Sequence, residues 1–315
     1  MIENIENKEQ NTATPNPKPK RVLTIQDISC LGRCSITIAL PIISALGSET
    51  VILPTAILST HTIFPGFTFR DLTDQIEPIT SHWKSQDVEF DAIYTGYLGT
   101  IEQIDLVKGI FKDFGGSGSG SSVKSGNSVS SGSSSGSACA LKVVDPVMGD
   151  RGKLYPGFDM DYVKKNTELC ACADIIVPNM TEASLMTGLE YREEHDEIYI
   201  KEMLAALEEL GARINVLTGV SLSPGKTGIM GHDSITGEYY LYQNDKVDAV
   251  FHGTGDLFSS TCIGEMMRGK TWQEAMTLAA DYTALTIDAT MKDPARKWYG
   301  VNFESTIPQL IEMSK

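Results

Sequence analysis

Residues 251–256, Phe-His-Gly-Thr-Gly-Asp, place two glycines and a carboxylate directly in front of an apolar segment. Residues 257–267 repeat large apolar side chains at helical spacing, and Gly269 supplies a stop signal. Because the free amides at a helix start favour a bound anion, the glycine turn predicts an anion site. A carboxylate would repel that anion unless it serves as a base beside a phosphate. Asp256 is therefore a candidate general base.

The same six residues also fit a helix start that has no chemical role. Glycine is tolerated at helix caps, and the helix dipole favours an acidic side chain in the first turn. A Gly-x-Gly-Asp string alone does not decide between these two interpretations. The choice between them depends on which other residues of the chain are expected to lie near Asp256.

The composition is that of a globular enzyme, with 41% hydrophobic and 21% charged residues in a chain of 315. The net charge of -15 argues against a nucleic-acid partner and against binding to anionic membranes. A phosphate site in this chain must therefore depend on backbone amides and metal ions. The spacing of the six cysteines matches no zinc or redox motif, which indicates reduced thiols.

Two polar segments lie outside any predicted core. Residues 1–20 are rich in Asn, Glu, Lys and Pro, and predict a disordered tail rather than a signal peptide or a membrane span. Residues 115–137 are almost entirely Gly and Ser, and predict a flexible insert without a chemical role. We expect residues 21–315 to form one domain and the protein to be cytoplasmic.

Short apolar runs alternate with amphipathic stretches along the chain. The predicted strands are 22–26, 51–57, 92–95, 141–144, 175–177 and 214–218, followed by a meander at 227–230, 238–243 and 247–251. The predicted helices are 36–46, 70–83, 101–114, 160–170, 182–187, 198–210, 257–268 and 272–289. This order predicts an α/β fold with a central, mainly parallel sheet and helices on both faces. Ligands of such sheets bind outside the carboxyl ends of the strands.

Residues 219–227 resemble a phosphate-binding loop, but the resemblance is poor. Five residues separate the glycines where the motif needs four, and Pro224 removes an amide donor. No convincing helix follows. We interpret the segment as a loop between two strands.

Polar motifs follow the predicted strands in a definite order: Gln26-Asp27-Ile28-Ser29, Ser59-Thr60-His61-Thr62, Thr95-Gly96-Tyr97, Asp145-Pro146-Val147-Met148-Gly149-Asp150, Pro178-Asn179-Met180-Thr181-Glu182 and Gly253-Thr254-Gly255-Asp256. In this order and spacing they resemble the ribokinase-like superfamily of small-molecule kinases, and within it the pyridoxal (vitamin B6) kinase family. The resemblance runs from about residue 21 to residue 289 and is interrupted by the Gly/Ser insert.

The resemblance implies ATP-dependent phosphorylation of the 5'-hydroxymethyl group of a vitamin B6 vitamer. Asp256 would be the catalytic base, and the amides of Gly253, Thr254 and Gly255 would hold the γ-phosphoryl oxygens. The resemblance also implies Mg²⁺, a monovalent cation such as K⁺ near Asp145 and Thr218, and a homodimer. A segment at residues 151–156 matches a mobile flap over ATP.

The remaining site residues implied by the resemblance fall into three groups: Asp145 and Glu182 at the metal, Asp150, Asn179, Thr218 and Gly219 at ATP, and Asp27, His61, Thr62 and Tyr97 at the substrate. Several have a structural alternative. Glu182 also fits the first turn of a helix, and Asp150 also fits a cap. Thr62 also fits a simple turn, and Tyr97 also fits an aromatic at the rim.

Asp27 departs from the family, in which many members carry serine at this position. A carboxylate there favours a cation, either the protonated pyridine nitrogen or the amine of pyridoxamine. This suggests a preference for pyridoxamine; alternatively, Asp27 pairs with the nearby Arg33.

Three other functions compete with the vitamin B6 kinase. A hydroxymethylpyrimidine kinase of thiamine synthesis belongs to the same superfamily, but its glycine-rich first loop is not matched by residues 26–32. A non-catalytic protein that binds pyridoxal phosphate would have no need of Asp256. A sugar kinase is the least favoured of these alternatives.

Overall fold

One nine-stranded sheet runs through the residues that the computed structural model describes, 18–116 and 139–315. In chain order the strands are β1 (Arg21–Leu31), β2 (Glu49–Thr60), β3 (Phe69–Asp71), β4 (Ala92–Thr95), β5 (Leu141–Val144), β6 (Gly149–Asp150), β7 (Lys153–Leu154), β8 (Ile175–Ile176), β9 (Ile214–Val220), β10 (Lys226–Asp233) and β11 (Glu238–Asp245). Strands β6 and β7 form a separate hairpin.

The order across the sheet is β11-β10-β9-β8-β5-β4-β1-β2-β3. Strands β2, β1, β4, β5, β8 and β9 are parallel to one another. Strands β3, β10 and β11 are antiparallel additions at the two ends. The central strand β4 is buried at all four residues, as expected for a strand covered on both faces.

The helices are α1 (Ile36–Ala45), α2 (Thr73–Ser85), α3 (Ile101–Phe114), α4 (Met160–Cys170), α5 (Met180–Thr187), α6 (Glu197–Glu208), α7 (Thr254–Met267), α8 (Trp272–Lys292) and α9 (Phe303–Met313). Helices α2 to α6 supply one apolar cluster on one face of the sheet. Helices α1, α7 and α8 supply a second cluster on the other face, and α9 packs behind them. The predicted fold class is therefore confirmed.

The chain reverses its direction across the sheet beside β1. Strand β2 lies on one side of β1, whereas β4, β5, β8 and β9 lie on the other. Such a reversal leaves a crevice at the carboxyl ends of β1 and β4, since the loops that follow these strands diverge to opposite faces. We call the row of strand ends from β2 to β9 the carboxyl edge.

Several features differ from the sequence-based predictions. The helix predicted at 70–83 begins at Thr73, because Arg70 and Asp71 belong to the unpredicted strand β3. The predicted third strand of the meander, residues 247–251, is wrong: these residues lead irregularly from β11 to α7. They find no partner strand, and Val250 is exposed. The prediction also missed α9, which buries Phe303 and Leu310. The predicted tail and the Gly/Ser insert lie outside the described residues, apart from residues 18–20 and 115–116.

Among the described residues, no helix combines the length and the apolar character that a membrane span requires.

Candidate active site

The carboxyl edge collects the predicted site residues in the order of the strands. His61 follows β2, Asp27 lies in β1, Tyr97 follows β4, Asp145 follows β5 and Asn179 follows β8. Thr218, in β9, completes the row. At about 4.8 Å between neighbouring strands, the four steps from β1 to β9 span about 19 Å. That length accommodates a small ring at one end and a nucleotide at the other.

Asp256 lies in the first turn of α7, whose N-cap is Gly253. The backbone amide of Ser35 donates a hydrogen bond of 2.9 Å to Asp256 Oδ2. Burial raises the pKa of Asp256 to about 7, and the charges of Asp145 and Asp27 act in the same direction. A carboxylate with a pKa near neutrality is suited to accept a proton and release it again.

The turn in front of Asp256 is tightly packed against another loop. Gly253 has a left-handed φ of 82°, and a Cβ atom there would lie 1.9 Å from the carbonyl oxygen of Arg33. A Cβ at Gly255 would lie 4.0 Å from Asp145 Oδ2. The turn therefore packs against the backbone of Arg33 and the side chain of Ile38, and it lies next to the carboxylate of Asp145. A phosphate group fits such a turn.

Ser35 connects the carboxylates of Asp256 and Asp27, and sequence reasoning missed it. Its amide binds Asp256, and its hydroxyl donates a hydrogen bond of 2.6 Å to Asp27 Oδ1. Ser35 is the N-cap of α1, yet its side chain makes no capping hydrogen bond, and its φ of 50° is strained. The only signal in the sequence was a serine before an apolar helix, which predicts a cap.

Asp27 is buried, with 5% of its surface exposed, and accepts a second hydrogen bond from Ser29 Oγ at 3.2 Å. Burial raises its pKa, because the hydrogen bonds from Ser35 and Ser29 compensate only in part. The alternative that Asp27 pairs with Arg33 is wrong. Arg33 instead binds Glu304 at 3.0 Å and the side chain of Asn302.

His61 is buried and held by backbone groups of two loops, and its role at the substrate stays a prediction. Its Nε2 lies 3.1 Å from the carbonyl oxygen of Tyr299, and its Nδ1 accepts a hydrogen bond of 3.3 Å from the amide of Ile63. Both ring nitrogens are therefore engaged by backbone, and burial lowers the pKa of His61. The neighbouring Thr62 is exposed in the turn that follows.

Tyr97 lies half-buried on the other side of Asp27. Its ring packs against Phe158 with the centroids 5.6 Å apart. Burial and the charge of Asp27 raise its pKa, which leaves the phenol neutral. An aromatic ring beside a buried carboxylate can cover one face of a flat ligand.

Asp145 and Glu182 are both buried at the middle of the carboxyl edge. Ser259 Oγ donates a hydrogen bond of 3.0 Å to Asp145 Oδ2. Burial raises the pKa of both carboxyls, and the charge of Glu182 adds to the shift of Asp145. Two buried carboxylates that repel each other fit a cation. The described residues contain no cluster of three or more metal-binding side chains, but Mg²⁺ is often held by one or two carboxylates and by phosphates.

Glu182 and Asn179 also form a capping box at the start of α5. Glu182 accepts the amides of Asn179 at 2.9 Å and Met148 at 3.1 Å. Asn179 Oδ1 caps the helix, and its Nδ2 donates to the carbonyl of Gly149 at 2.9 Å. Glu182 therefore has the helix-capping role that is the alternative to metal binding. Its role at a metal stays a prediction.

The segment predicted as a flap forms the β6–β7 hairpin. Arg151 and Gly152, at the turn, have φ values of 50° and 73°, which suit a two-residue hairpin loop. Asp150 is exposed and accepts a hydrogen bond of 2.9 Å from the amide of Arg151. Its carboxylate therefore stabilises the turn, and a contact with ATP stays a prediction.

Thr218 and Gly219 lie at the far end of the carboxyl edge. The amide of Thr218 donates a hydrogen bond of 3.0 Å to the carbonyl of Pro178, which joins β9 to the loop before α5. Gly219 bulges out of the β9–β10 ladder with a φ of 77° and open space around it. The loop that resembled a phosphate-binding motif connects β9 to β10, as the sequence indicates.

Comparison with known proteins gives concordant matches. The family model described as phosphomethylpyrimidine kinase matches residues 128–298, more than half of the chain. The pyridoxal kinase of Arabidopsis thaliana is 26% identical over 301 residues, covering 93% of this chain and 89% of that protein.

Two solved structures share the whole architecture. A Bacteroides thetaiotaomicron protein assigned to the phosphomethylpyrimidine kinases, crystallised with pyridoxal, is 34% identical with a TM-score of 0.81, and the match covers 93% of this chain and 96% of that chain. The pyridoxal kinase of Lactobacillus plantarum is 27% identical with a TM-score of 0.80, over 93% of this chain and 97% of that chain. The fold is therefore that of the ribokinase-like small-molecule kinases.

The chain belongs to the phosphomethylpyrimidine kinase family, and it resembles the pyridoxal kinases of this fold over most of their length. The resemblance seen in the sequence is confirmed.

Proposed function

We propose that this protein transfers the γ-phosphoryl group of ATP to the 5'-hydroxymethyl group of a vitamin B6 vitamer: pyridoxal, pyridoxamine or pyridoxine. The observation that carries the proposal is Asp256, a carboxylate with a pKa of about 7 directly behind an amide-lined turn. The similarity to pyridoxal kinases supports the choice of substrate. So does the pyridoxal bound to the relative that is 34% identical.

We assign the chemical step to few groups. Asp256 Oδ2 is held by Ser35, and Oδ1 hydrogen-bonds to no described residue. Oδ1 can therefore take the proton of the hydroxymethyl group. The hydroxyl oxygen attacks the γ-phosphorus, and the bond to the oxygen that bridges the β- and γ-phosphates breaks, releasing ADP. The amides of Gly253, Thr254 and Gly255 stabilise the charge on the transferred group.

The nucleotide and its metal ion would lie along the middle and far parts of the carboxyl edge. We assign ATP to the region of Asp150, Asn179, Thr218 and Gly219. Asp145 and Glu182 would hold Mg²⁺, directly or through water, because both are buried carboxylates without a cationic partner in the described chain. When bound, Mg²⁺ neutralises charge on the phosphates. A K⁺ ion near Asp145 and Thr218 belongs to the same proposal.

The proposed assembly follows the family resemblance, and the proposed location follows the cysteines. We propose a homodimer of single kinase domains spanning residues 21–315, in line with the one sheet that runs through the described chain. We also propose a cytoplasmic location, which the buried free thiols of Cys34, Cys170 and Cys262 support.

An assay of ATP-dependent phosphorylation tests the function. We expect turnover of at least one of the three vitamers, and loss of that turnover when Mg²⁺ is omitted. Hydroxymethylpyrimidine serves as the competing substrate, because the matching family model bears a pyrimidine kinase description. Turnover of the pyrimidine alone would assign the protein to thiamine synthesis. Binding of pyridoxal phosphate without any turnover would contradict a kinase.

Asp27 is expected to recognise the protonated ring nitrogen. Burial raises its pKa. Among the described residues no lysine or arginine pairs with this carboxylate, so a cationic atom of the ligand would be its partner. Pyridoxal has no amine, so the ring nitrogen is the cationic atom that all three vitamers share. We expect Asp27→Ser to lower kcat/KM about tenfold for each of the three, since a charge-assisted hydrogen bond is lost.

The variant Asp27→Asn is the matched control, because it keeps the shape and removes only the charge. We expect it to behave like Asp27→Ser. A loss confined to pyridoxamine would instead assign Asp27 to the amine, as the pyridoxamine hypothesis states. Unchanged kcat/KM values for all three vitamers would exclude both roles.

A further inference from the structure

His252 lies directly before the amide-lined turn, four residues before Asp256 in the chain. Its imidazole is half-buried and packs against His61, with the ring centroids 4.8 Å apart. Sequence reasoning gave it no role, because a single histidine before a glycine turn carries no specific signal. Its position in the fold places it next to His61 and just before the turn that leads to the proposed base, Asp256.

The two neighbouring histidines differ in what their nitrogens do. His61 uses both nitrogens on backbone groups, Tyr299 O and Ile63 N. His252 forms no hydrogen bond to any residue of the described chain. Burial and the nearby His61 lower the pKa of His252 to about 4, so its ring is neutral at pH 7 and offers one donor and one acceptor. A half-buried polar ring with unused nitrogens is suited to bind a ligand.

The proposed function indicates which ligand atoms face this ring. The reacting hydroxymethyl group is attached to C5 of the vitamer and must reach Asp256. The ring nitrogen, two ring positions away, would bind Asp27. Ser35 hydrogen-bonds to both carboxylates, so it lies along the ring edge that joins C5 to the nitrogen. The other neighbour of C5 is C4, which faces away from Ser35.

We propose that His252 is a specificity-determining residue that hydrogen-bonds to the substituent at C4 of the vitamer. This inference rests on the proposed function. The substituent at C4 is the only difference among the three vitamers: an aldehyde, an aminomethyl or a hydroxymethyl group. A neutral imidazole can donate to or accept from such groups, and a site that offers a hydrogen bond discriminates against an analogue that cannot make it.

The test compares pyridoxine with 4-deoxypyridoxine, which carries a methyl group at C4. For the wild type we expect kcat/KM to favour pyridoxine by about three- to tenfold, the worth of one neutral hydrogen bond. In His252→Phe the ratio is expected to fall close to one. In His252→Asn, which keeps a donor and an acceptor, the preference should be largely retained.

The control is His82→Phe, the same substitution at an exposed position on α2, where the ratio should not change. A wild-type ratio of one, or the same preference in wild type and His252→Phe, would overturn the inference. If His252→Phe does not fold by circular dichroism, His252→Leu takes its place, because leucine also removes both ring nitrogens. The same preference in wild type and His252→Leu would overturn the inference in the same way. Failure of the wild type to phosphorylate pyridoxine, pyridoxal or pyridoxamine would instead refute the proposed function.

Discussion

An Asp256→Asn variant is expected to lose about 10²- to 10⁴-fold in kcat, the usual contribution of a general base. Asparagine keeps the size of the side chain and can still accept the hydrogen bond from the amide of Ser35. It cannot take the proton of the hydroxymethyl group. Steady-state kinetics with saturating ATP would measure the loss. The KM for the vitamer should change little, since the binding contacts remain.

The same assignment predicts a pH profile for the wild type. Because burial raises the pKa of Asp256 to about 7, we expect kcat/KM to fall tenfold per pH unit below that value. This acidic limb should be absent from the residual activity of Asp256→Asn. If the wild type and Asp256→Asn both lost kcat/KM at the same acidic pH, a group other than Asp256 would be titrating.

Stability gives an independent readout for this variant. The pKa of Asp256 is higher in the folded protein than its ordinary value of 3.8, so ionisation disfavours the folded state. This cost is absent below pH 3.8, grows as the pH rises, and is complete above about pH 7. Asparagine carries no such cost, so the Tm of the variant at pH 8 should equal or exceed that of the wild type. A lower Tm would mean that lost activity reports misfolding.

The matched control for Asp256 is Asp248→Asn. Asp248 is exposed in the irregular segment that precedes α7, and it lies outside the proposed catalytic groups. We expect its kcat to remain within about twofold of the wild type, because exposed charges contribute little. Equal losses in the two variants would contradict a specific role for Asp256.

A Gly253→Ala variant is expected to lose about 10²-fold or more in kcat, together with stability. The left-handed φ of 82° costs an alanine about 1–2 kcal/mol. In addition, the new Cβ would lie 1.9 Å from the carbonyl oxygen of Arg33. Backbone cannot move aside as a flexible side chain can, so the turn must shift. A shift of about 1 Å in the phosphate-holding amides is enough for such a loss of rate.

A Gly237→Ala variant distinguishes the effect of backbone strain on stability from the effect of a displaced turn on kcat. Gly237 has a similar φ of 71°, but nothing lies within 4 Å of its Cβ position in the β10–β11 turn. This variant should lose stability in urea unfolding while its kcat stays unchanged. If Gly253→Ala loses stability to the same extent as Gly237→Ala and keeps its kcat, the amide turn does not hold the transferred phosphoryl group.

The helices and strands whose bounds were predicted best have capping or polar residues next to their ends. Helix α3 begins after Thr100 and α4 after Asp159, and each of these side chains caps its helix. Strand β4 is a short run between Asp91 and Gly96, and β5 is a short run that ends directly before Asp145. The predicted bounds of all four agree with the structure. Residues 247–251 have a comparable apolar pattern, but no neighbouring strand pairs with them.

The candidate site was predictable to the extent that it consists of motifs at strand ends. Asp256 was placed in the first turn of a helix, and the structure has it there. The contribution of Ser35 was not predictable, because its sequence context describes a helix cap. Likewise, Glu182 fits both a metal ligand and a capping box, and the sequence cannot show that its carboxylate accepts two amides.

The sequence by itself determined the alternation of strands and helices, the glycine turn before α7 and the family. These properties depend on residue types within a few positions of one another. Tertiary structure alone decided which distant groups meet: Ser35 with Asp256, 221 positions apart, and Arg33 with Glu304 rather than Asp27. Such contacts depend on the strand order and on the faces that the helices cover, and no local pattern encodes them.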